Sequence, residues 1–405
     1  MIPFSPPRID NLTIEAVTNV LKSGWITTGP ATKKFEKNIA EYIQVSRVIC
    51  LNSWTNAAEL FLRWYGISEG DEVLVPAYTY AASANIIFHL GATPILVDSE
   101  KGKFNLDLED LEKKITSKTK VIMPVDIGGF PCDYEAIKDI ILRKSPLFIP
   151  KNDNEKKLNR ILLFSDAAHS LGATINGRPA AIYSDVSCFS FHAVKNLTTA
   201  EGGALGFNLP ENFDSEELYK DLNIYSLHGQ TKDALSKTNS GSWKYDIIHA
   251  GYKCNMTDLQ GAIGQVELDR YESETLVKRK SICNSYHDGF KEESWYIAPP
   301  MVTKTKETSY HLFQLRIDGF TDSQRDLVIN ELRDKGISTN VHFMPLPFFT
   351  FYKEKGYQIA DYPNAVNSYS TEISLPVFYD LTNEQLGYIV QTVKQVIKDI
   401  TDDEA

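Results

Sequence analysis

The chain lacks most of what would bind metal, nucleic acid or membrane. Its cysteines number five in 405 residues. Cys50, Cys132, Cys188, Cys254 and Cys283 form no Cys-x-x-Cys pair, which excludes a zinc ribbon or a disulfide framework and fits a reducing compartment. No long basic run occurs, and 42 Lys and Arg face 53 Asp and Glu for a net charge of -11. Nucleic acid is therefore not an expected partner. Polar residues interrupt every long apolar stretch, and the amino terminus lacks the charged-then-apolar order of a signal peptide. The expectation is a cytoplasmic protein without membrane contact. Internal repeats and low-complexity tracts are absent, and no arginine follows Arg333.

What is there has the composition of a globular protein, with 42% hydrophobic and 23% charged residues. The length allows one large and one small domain. Apolar runs alternate with helical periodicity through the first half, the pattern of an α/β fold on a mainly parallel sheet. Strands are expected at Arg47 to Leu51, Glu72 to Val75, Pro94 to Val97, Lys120 to Val125, Arg160 to Phe164, Val186 to Phe191 and Ala204 to Phe207. Helices are expected at Ala57 to Trp64, Ala81 to His89, Leu108 to Ile115 and Tyr134 to Leu142. The polar stretch Lys151 to Lys157 reads as a surface loop, and Lys232 to Trp243 as a longer one. A nearly uninterrupted helical pattern from Met256 to Glu292 would bridge into a smaller carboxy-terminal domain, dividing the chain into residues 1–255 and 256–405. The tail from Thr401 is expected to fray.

Two motifs carry chemistry. Asp166, in Ser165-Asp-Ala-Ala-His-Ser170, follows the apolar run Ile161-Leu-Leu-Phe164, where strand ends line a crevice. Lys195, in Phe189-Ser-Phe-His-Ala-Val-Lys-Asn-Leu-Thr-Thr-Ala-Glu-Gly-Gly203, stands between a strand-like run and a Gly-Gly turn. A lysine so placed can form an imine with an aldehyde cofactor, and a buried carboxylate can keep a pyridinium nitrogen protonated. Either residue alone has a bland reading, a turn cap or a surface lysine. Together they give the layout of a pyridoxal-phosphate enzyme. Asn52-Ser-Trp-Thr-Asn-Ala57 joins a strand to a helix, so Thr55 and Asn56 can offer amides and a hydroxyl to a phosphate, although a plain helix cap by Thr55 would look the same.

Over nearly its whole length, from Ser23-Gly-Trp-Ile-Thr-Thr-Gly-Pro30 to His342-Phe-Met-Pro345, the chain resembles the DegT/DnrJ/EryC1/StrS family of pyridoxal-phosphate-dependent nucleotide-sugar aminotransferases. Gly-Trp-Ile-Thr-Thr-Gly-Pro and Phe-His-Ala-Val-Lys-Asn are most like the branch acting on UDP-linked 4-keto sugars, including the 4-amino-4-deoxy-arabinose aminotransferases. The resemblance implies a fold-type I transferase, with Lys195 as catalytic residue and cofactor anchor and Asp166 on the ring nitrogen. It puts Tyr80 stacked on the ring, His169 near the phenolic oxygen, and Ser190 with Thr55 and Asn56 at the phosphate. Where the family usually has Ser-Gly-Thr, Trp54 replaces the glycine. Lys253 and Asn255 occupy the Asn and Arg positions of the family's Gly-x-Asn-x-Arg, which implies Lys253 near the phosphate of the neighbouring subunit in a homodimer with shared sites. Trp25, Thr27, Thr28, Asn255 and His342 would line the sugar-nucleotide pocket. No metal is implied.

The activity implied is transfer of an amino group from glutamate to a keto group, at C4, of a nucleotide-linked sugar for a surface polysaccharide or glycan. Amino-acid transaminases commonly clamp the substrate carboxylate with a carboxy-terminal arginine, which this chain lacks after Arg333. The alternatives are a general 2-oxo-acid transaminase, a sugar dehydratase of the same family, in which His replaces the lysine, and a non-catalytic binding or regulatory protein on the same fold.

Overall fold

A computed structural model describes residues 1–232 and 244–403. The loop expected up to Trp243 therefore lies, beyond Lys232, outside the described residues. Helices α1 (Asn11–Ser23) and α2 (Pro30–Ile43) lead into β1 (Arg47–Leu51). There follow α3 (Trp54–Tyr65), β2 (Glu72–Pro76), α4 (Ala82–His89), β3 (Thr93–Val97), α5 (Leu108–Lys114), β4 (Thr119–Ile122), α6 (Tyr134–Lys144) and α7 (Asp153–Leu158). The first half closes with β5 (Leu162–Asp166), β6 (Val186–Ser190), β7 (Gly203–Phe207) and α8 (Ser215–Ser226).

The seven strands form one sheet in the order β1-β7-β6-β5-β4-β2-β3. Its inner pairs are parallel, and β7 alone runs against its neighbours β1 and β6. Helices on both faces bury the strands on both sides, which is why their sequences read as unbroken apolar runs rather than alternations. Each strand and helix expected in this half is present, with ends shifted by a few residues.

Lys151 to Lys157 lies at the surface as expected, but from Asp153 on it is the helix α7 rather than a loop. Asn152 caps α7 by accepting the Glu155 N–H, and Glu155 is fully buried, 3.1 Å from the equally buried Lys120 Nζ. One carboxylate of a surface stretch turns inward here because a buried cation pairs with it.

The long helical stretch is α9 (Asp258–Asp269) and α10 (Val277–Phe290), joined by a wide π-helical turn over Tyr271–Leu276. A second sheet, β8 (Tyr296–Ile297), β9 (Phe313–Ile317) and β10 (Glu372–Leu375), is antiparallel in the order β8-β9-β10. Between β9 and β10 come α11 (Asp322–Asp334), α12 (Thr350–Glu354) and α13 (Pro363–Thr371), and α14 (Asn383–Asp403) ends the described chain. Phe313, Leu315, Val328, Ile389 and Val393 centre a core of their own, which Ile2 joins through bonds to residues 336 and 338. The tail holds helix through Asp403, further than expected. Among the described residues no helix is long and apolar enough to cross a membrane.

Candidate active site

The carboxyl ends of β2, β5 and β6 and the first turn of α3 meet at a cavity of about 470 Å³, closed on its far side by residues 311, 312, 342 and 343. This is where open α/β sheets bind ligands, because the strand ends leave a crevice lined by loops and helix starts. Asp166, the last residue of β5, is buried there and accepts hydrogen bonds from Ser83 Oγ at 2.7 Å and the Ala168 N–H at 3.2 Å. Burial pushes its carboxyl up to about 6, opposed by those two donors and by the charge of Lys195. A cationic ring nitrogen beside it would favour the ionised form. Lys195 leaves the turn after β6 and lines the same cavity. Although part of its surface faces the cavity, burial of the amine lowers its pKa to about 8, with Asp166 pulling the other way. An amine so lowered is partly neutral near physiological pH, as a nucleophile and proton carrier must be.

Ser53 caps α3 by accepting the Asn56 N–H at 3.1 Å. The Trp54 and Thr55 N–H groups precede any intrahelical acceptor, and Ser53, Thr55 and Ser190 line the cavity beside them. Trp54, which stands in place of the family's glycine, leaves this turn open. Its indole is buried and donates to the Cys188 carbonyl at 3.1 Å. Gly203 of β7 makes room for the backbone of this turn, since a Cβ there would lie 2.4 Å from the backbone nitrogen of Trp54. The residues fit an aromatic cofactor with a phosphate: a helix start for the anion at one end, a carboxylate at the other and a lysine between. Asn56 is placed differently from expectation. Its N–H is taken by Ser53, its side chain bonds Asn52 at 2.7 Å, and it does not line the cavity.

His169 is buried in the wall, and its Nδ1 accepts the Gly128 N–H at 3.2 Å. Gly128 has φ of 65° and so presents its amide at little conformational cost. Burial holds His169 well below the usual histidine range, so the neutral ring carries its proton on Nε2 as a donor. Tyr80 lines the rim, 65% exposed, with its ring 6.0 Å from that of Phe343.

Sequence reasoning missed the strap over residues 308–312. The Asn196 Nδ2 donates to the Ser309 carbonyl at 2.8 Å, which orients its Oδ1 toward His311 Nδ1, also at 2.8 Å. The ring of His311 lies 4.3 Å from that of His169. Tyr310, at φ of 55°, is held in this unusual conformation by Arg279, which donates to the carbonyls of Tyr310 at 2.9 Å and His311 at 2.5 Å. The strap thus ties the residue next to Lys195 to the second sheet. A lone histidine in Ser-Tyr-His-Leu gives no local signal of this, and neither does Ser83.

Trp25, Thr27, Thr28, Lys253 and Asn255 gather away from this cavity. Asn255 Nδ2 donates to Thr28 Oγ1 at 2.7 Å, Thr28 Oγ1 to the Met256 carbonyl at 2.5 Å, and Trp25 Nε1 to the Thr28 carbonyl at 3.1 Å. Lys253 is exposed and bonds Asn255. Asp258, at the start of α9, pins the loop by accepting the N–H groups of Gly29 at 2.7 Å and Thr32 at 3.0 Å. Within one chain these residues touch neither Lys195 nor Asp166.

The family model for the DegT/DnrJ/EryC1/StrS aminotransferase family matches residues 7–394. The spore coat polysaccharide biosynthesis protein SpsC of Bacillus subtilis is 35% identical, over 98% of this chain and 97% of its own. Spr1654 of Streptococcus pneumoniae, assigned as a sugar aminotransferase and solved in its PMP form, is 46% identical with a TM-score of 0.96, covering 99% of this chain and 100% of its own. Its PLP form superposes with a TM-score of 0.94 at 44% identity, covering 98% of this chain and 99% of its own. PseC of Helicobacter pylori, an aminotransferase involved in pseudoaminic acid biosynthesis, is 26% identical with a TM-score of 0.86 over 98% of this chain and 99% of its own. With the lysine, the carboxylate and the open helix start in one cavity, the chain belongs to the DegT/DnrJ/EryC1/StrS family of sugar aminotransferases of fold type I, and its cofactor is pyridoxal 5'-phosphate.

Proposed function

We propose that the protein transfers an amino group from glutamate to C4 of a nucleotide-linked keto sugar, a UDP sugar by its motifs, for assembly of a surface polysaccharide or glycan in the cytoplasm. The observation that carries this reading is the cavity wall. Lys195 and Asp166 face one space, and no arginine is among the described residues that line it. Amino-acid transaminases commonly clamp the substrate carboxylate with a guanidinium, whereas this wall offers histidines, serines and aromatic rings, which suit an uncharged hydroxylated ring and leave glutamate to be held as donor in some other way. The relatives concerned with spore coat polysaccharide and pseudoaminic acid support the same direction.

When bound, pyridoxal phosphate supplies the electron sink that stabilises charge on the carbon losing its proton. Lys195 would anchor the cofactor and then carry the proton between the substrate carbon and the cofactor. Asp166 would hold the ring nitrogen charged, the first turn of α3 with Ser190 would hold the phosphate, and His169 Nε2–H would donate to the ring oxygen. Lys253 lies outside its own cavity and exposed, as a residue would if it served the site of a partner in a homodimer. Residues 1–255 are then the cofactor-binding part, and 256–405 the bridge and smaller domain.

A panel of UDP-, dTDP- and GDP-linked keto sugars incubated with glutamate tests the reading. Mass spectrometry should find the aminated product from a UDP-linked 4-keto sugar, and NMR should place nitrogen on C4. If only 2-oxo acids accept nitrogen, the sugar reading fails and a general transaminase takes its place.

A further inference from the structure

Behind His342 lies a buried hydrogen-bonded chain that the steps above do not use. Glu372 opens β10 and is fully buried, its Oε2 accepting the His342 backbone N–H at 2.9 Å. Its Oε1 lies 2.5 Å from Ser374 Oγ, and Ser374 Oγ lies 2.9 Å from His342 Nδ1. The rest of His342 is fixed as well. Phe4 stacks on its ring at 5.4 Å, and its carbonyl takes the Tyr78 hydroxyl at 2.6 Å and Gln314 Nε2 at 2.8 Å. The ring lines the cavity, and among the described residues nothing bonds its Nε2.

Counting donors places the protons. Burial pushes Glu372 up to about 8 against the pull of Ser374, the His342 N–H, Arg325 and Arg316, and burial with the charge of Lys195 brings His342 down to about 3. Near neutral pH both are uncharged. Oε2 is occupied as an acceptor, so the carboxyl proton sits on Oε1 and points at Ser374. The serine proton then points at Nδ1, and the imidazole proton is left on Nε2.

We propose that Glu372, Ser374 and His342 form one relay that makes His342 Nε2 a hydrogen-bond donor into the cavity, where it holds an oxygen of the acceptor sugar. Glu372 and Ser374 are positioning residues in this relay. The polarity of Nε2 rests on the hydrogen-bonded chain with a protonated Glu372 at its end, and the choice of a sugar oxygen rests on the function proposed above. Ionisation of Glu372 reverses the chain: Oε1 becomes the acceptor, Ser374 turns its proton to it, Nδ1 takes the ring proton and Nε2 presents a lone pair. Arg316, Arg325 and Tyr78 face the carboxyl end of the relay, and Lys195, His169 and His311 face the imidazole end.

Nitrogen-15 NMR of the histidine-labelled, cofactor-loaded protein reads which ring nitrogen carries the proton, with the His342 signal identified by its loss in His342→Gln. Wild type should show Nε2–H at pH 7 and pass to Nδ1–H as pH rises through about 8. Glu372→Gln should keep Nε2–H throughout, because an amide N–H replaces the carboxyl proton. Ser374→Ala should lose the pH dependence, and Ser374→Thr should retain it. For the sugar contact, Ser374→Ala should raise KM for the keto sugar about tenfold at pH 7, the worth of one hydrogen bond, with a smaller change in kcat. Ser374→Thr should restore it. A wild-type ring protonated on Nδ1 at pH 7, or a pH profile of the tautomer left unchanged by both Glu372→Gln and Ser374→Ala, overturns the relay. A relay seen by NMR with an unchanged KM overturns the sugar contact. If no keto sugar is a substrate, the proposed function fails while the NMR result still decides the relay.

Discussion

Lys195 illustrates what single residues contribute and how environment changes them. Its lowered pKa of about 8 means that the neutral amine, a minor species for a free lysine, becomes the major one as pH rises past 8. Loading of the cofactor-free protein with pyridoxal phosphate, followed by absorbance, should therefore accelerate as pH rises from 7 to about 8 and level off above. A rate that still climbs steeply near pH 10 would mean an ordinary lysine. Replacement of Lys195 by Ala should leave the fold intact and cut transamination by at least about 10³-fold, because the anchor and the proton carrier go together. Substantial turnover by that variant without added amine would remove Lys195 from its role. Asp166→Asn should still bind the cofactor but lose about 10²-fold or more in kcat, since an amide cannot balance a ring cation. Near-normal turnover would assign Asp166 elsewhere. Both residues were legible in the sequence because each sits at a strand end with a recognisable neighbourhood. Ser83, which donates to Asp166 from 83 positions earlier, was not.

At the scale of elements, strand and helix signals came through because they are local: unbroken apolar runs for strands buried on both faces, and a polar cap before helices such as α3, α5 and α6. The segment from Lys151 to Lys157 failed as a loop by the same logic, since the inward turn of Glu155 depends on a lysine 35 residues earlier. Lys120 and Glu155 are both out of contact with water, so removing one leaves a buried charge unpaired. Glu155→Ala should destabilise the protein by about 3–5 kcal/mol, read from the urea midpoint, whereas the pair Lys120→Met with Glu155→Leu should recover most of that loss. A cost under about 1 kcal/mol for the single variant would show that water reaches the pair. Trp54 belongs to this scale too. A bulky residue in place of glycine changes the turn only if its side chain must share the turn's space, and here the indole goes beneath the sheet to the Cys188 carbonyl.

At the scale of the molecule, two cores are joined by α9, α10 and the strap at residues 308–312, and the cavity lies between them. Five residues expected at the site, Trp25, Thr27, Thr28, Lys253 and Asn255, sit off it within one chain, a placement that a second copy would make functional. Sedimentation should find a homodimer, and Lys253→Ala should release the cofactor several-fold faster on dilution while leaving kcat at saturating cofactor within about threefold, because a point charge that neutralises phosphate adds affinity rather than chemistry. A fully active monomer would dissolve the shared site.

The sequence by itself determined which segments become strands, the mainly parallel sheet, the family, and the lysine and the carboxylate that line one cavity. Each of these is written in a few neighbouring residues, as an apolar run, a cap, or a carboxylate and a lysine at strand ends. The tertiary structure alone decided the closing of Asn196 on His311 across 115 positions, the capping of the amino-terminal loop by Asp258, and the polarity of His342 through Ser374 and Glu372. A hydrogen-bond partner brought from far along the chain leaves no periodicity behind it. Only when the two cores have packed do those groups lose water, and only then do their protons and charges take fixed places.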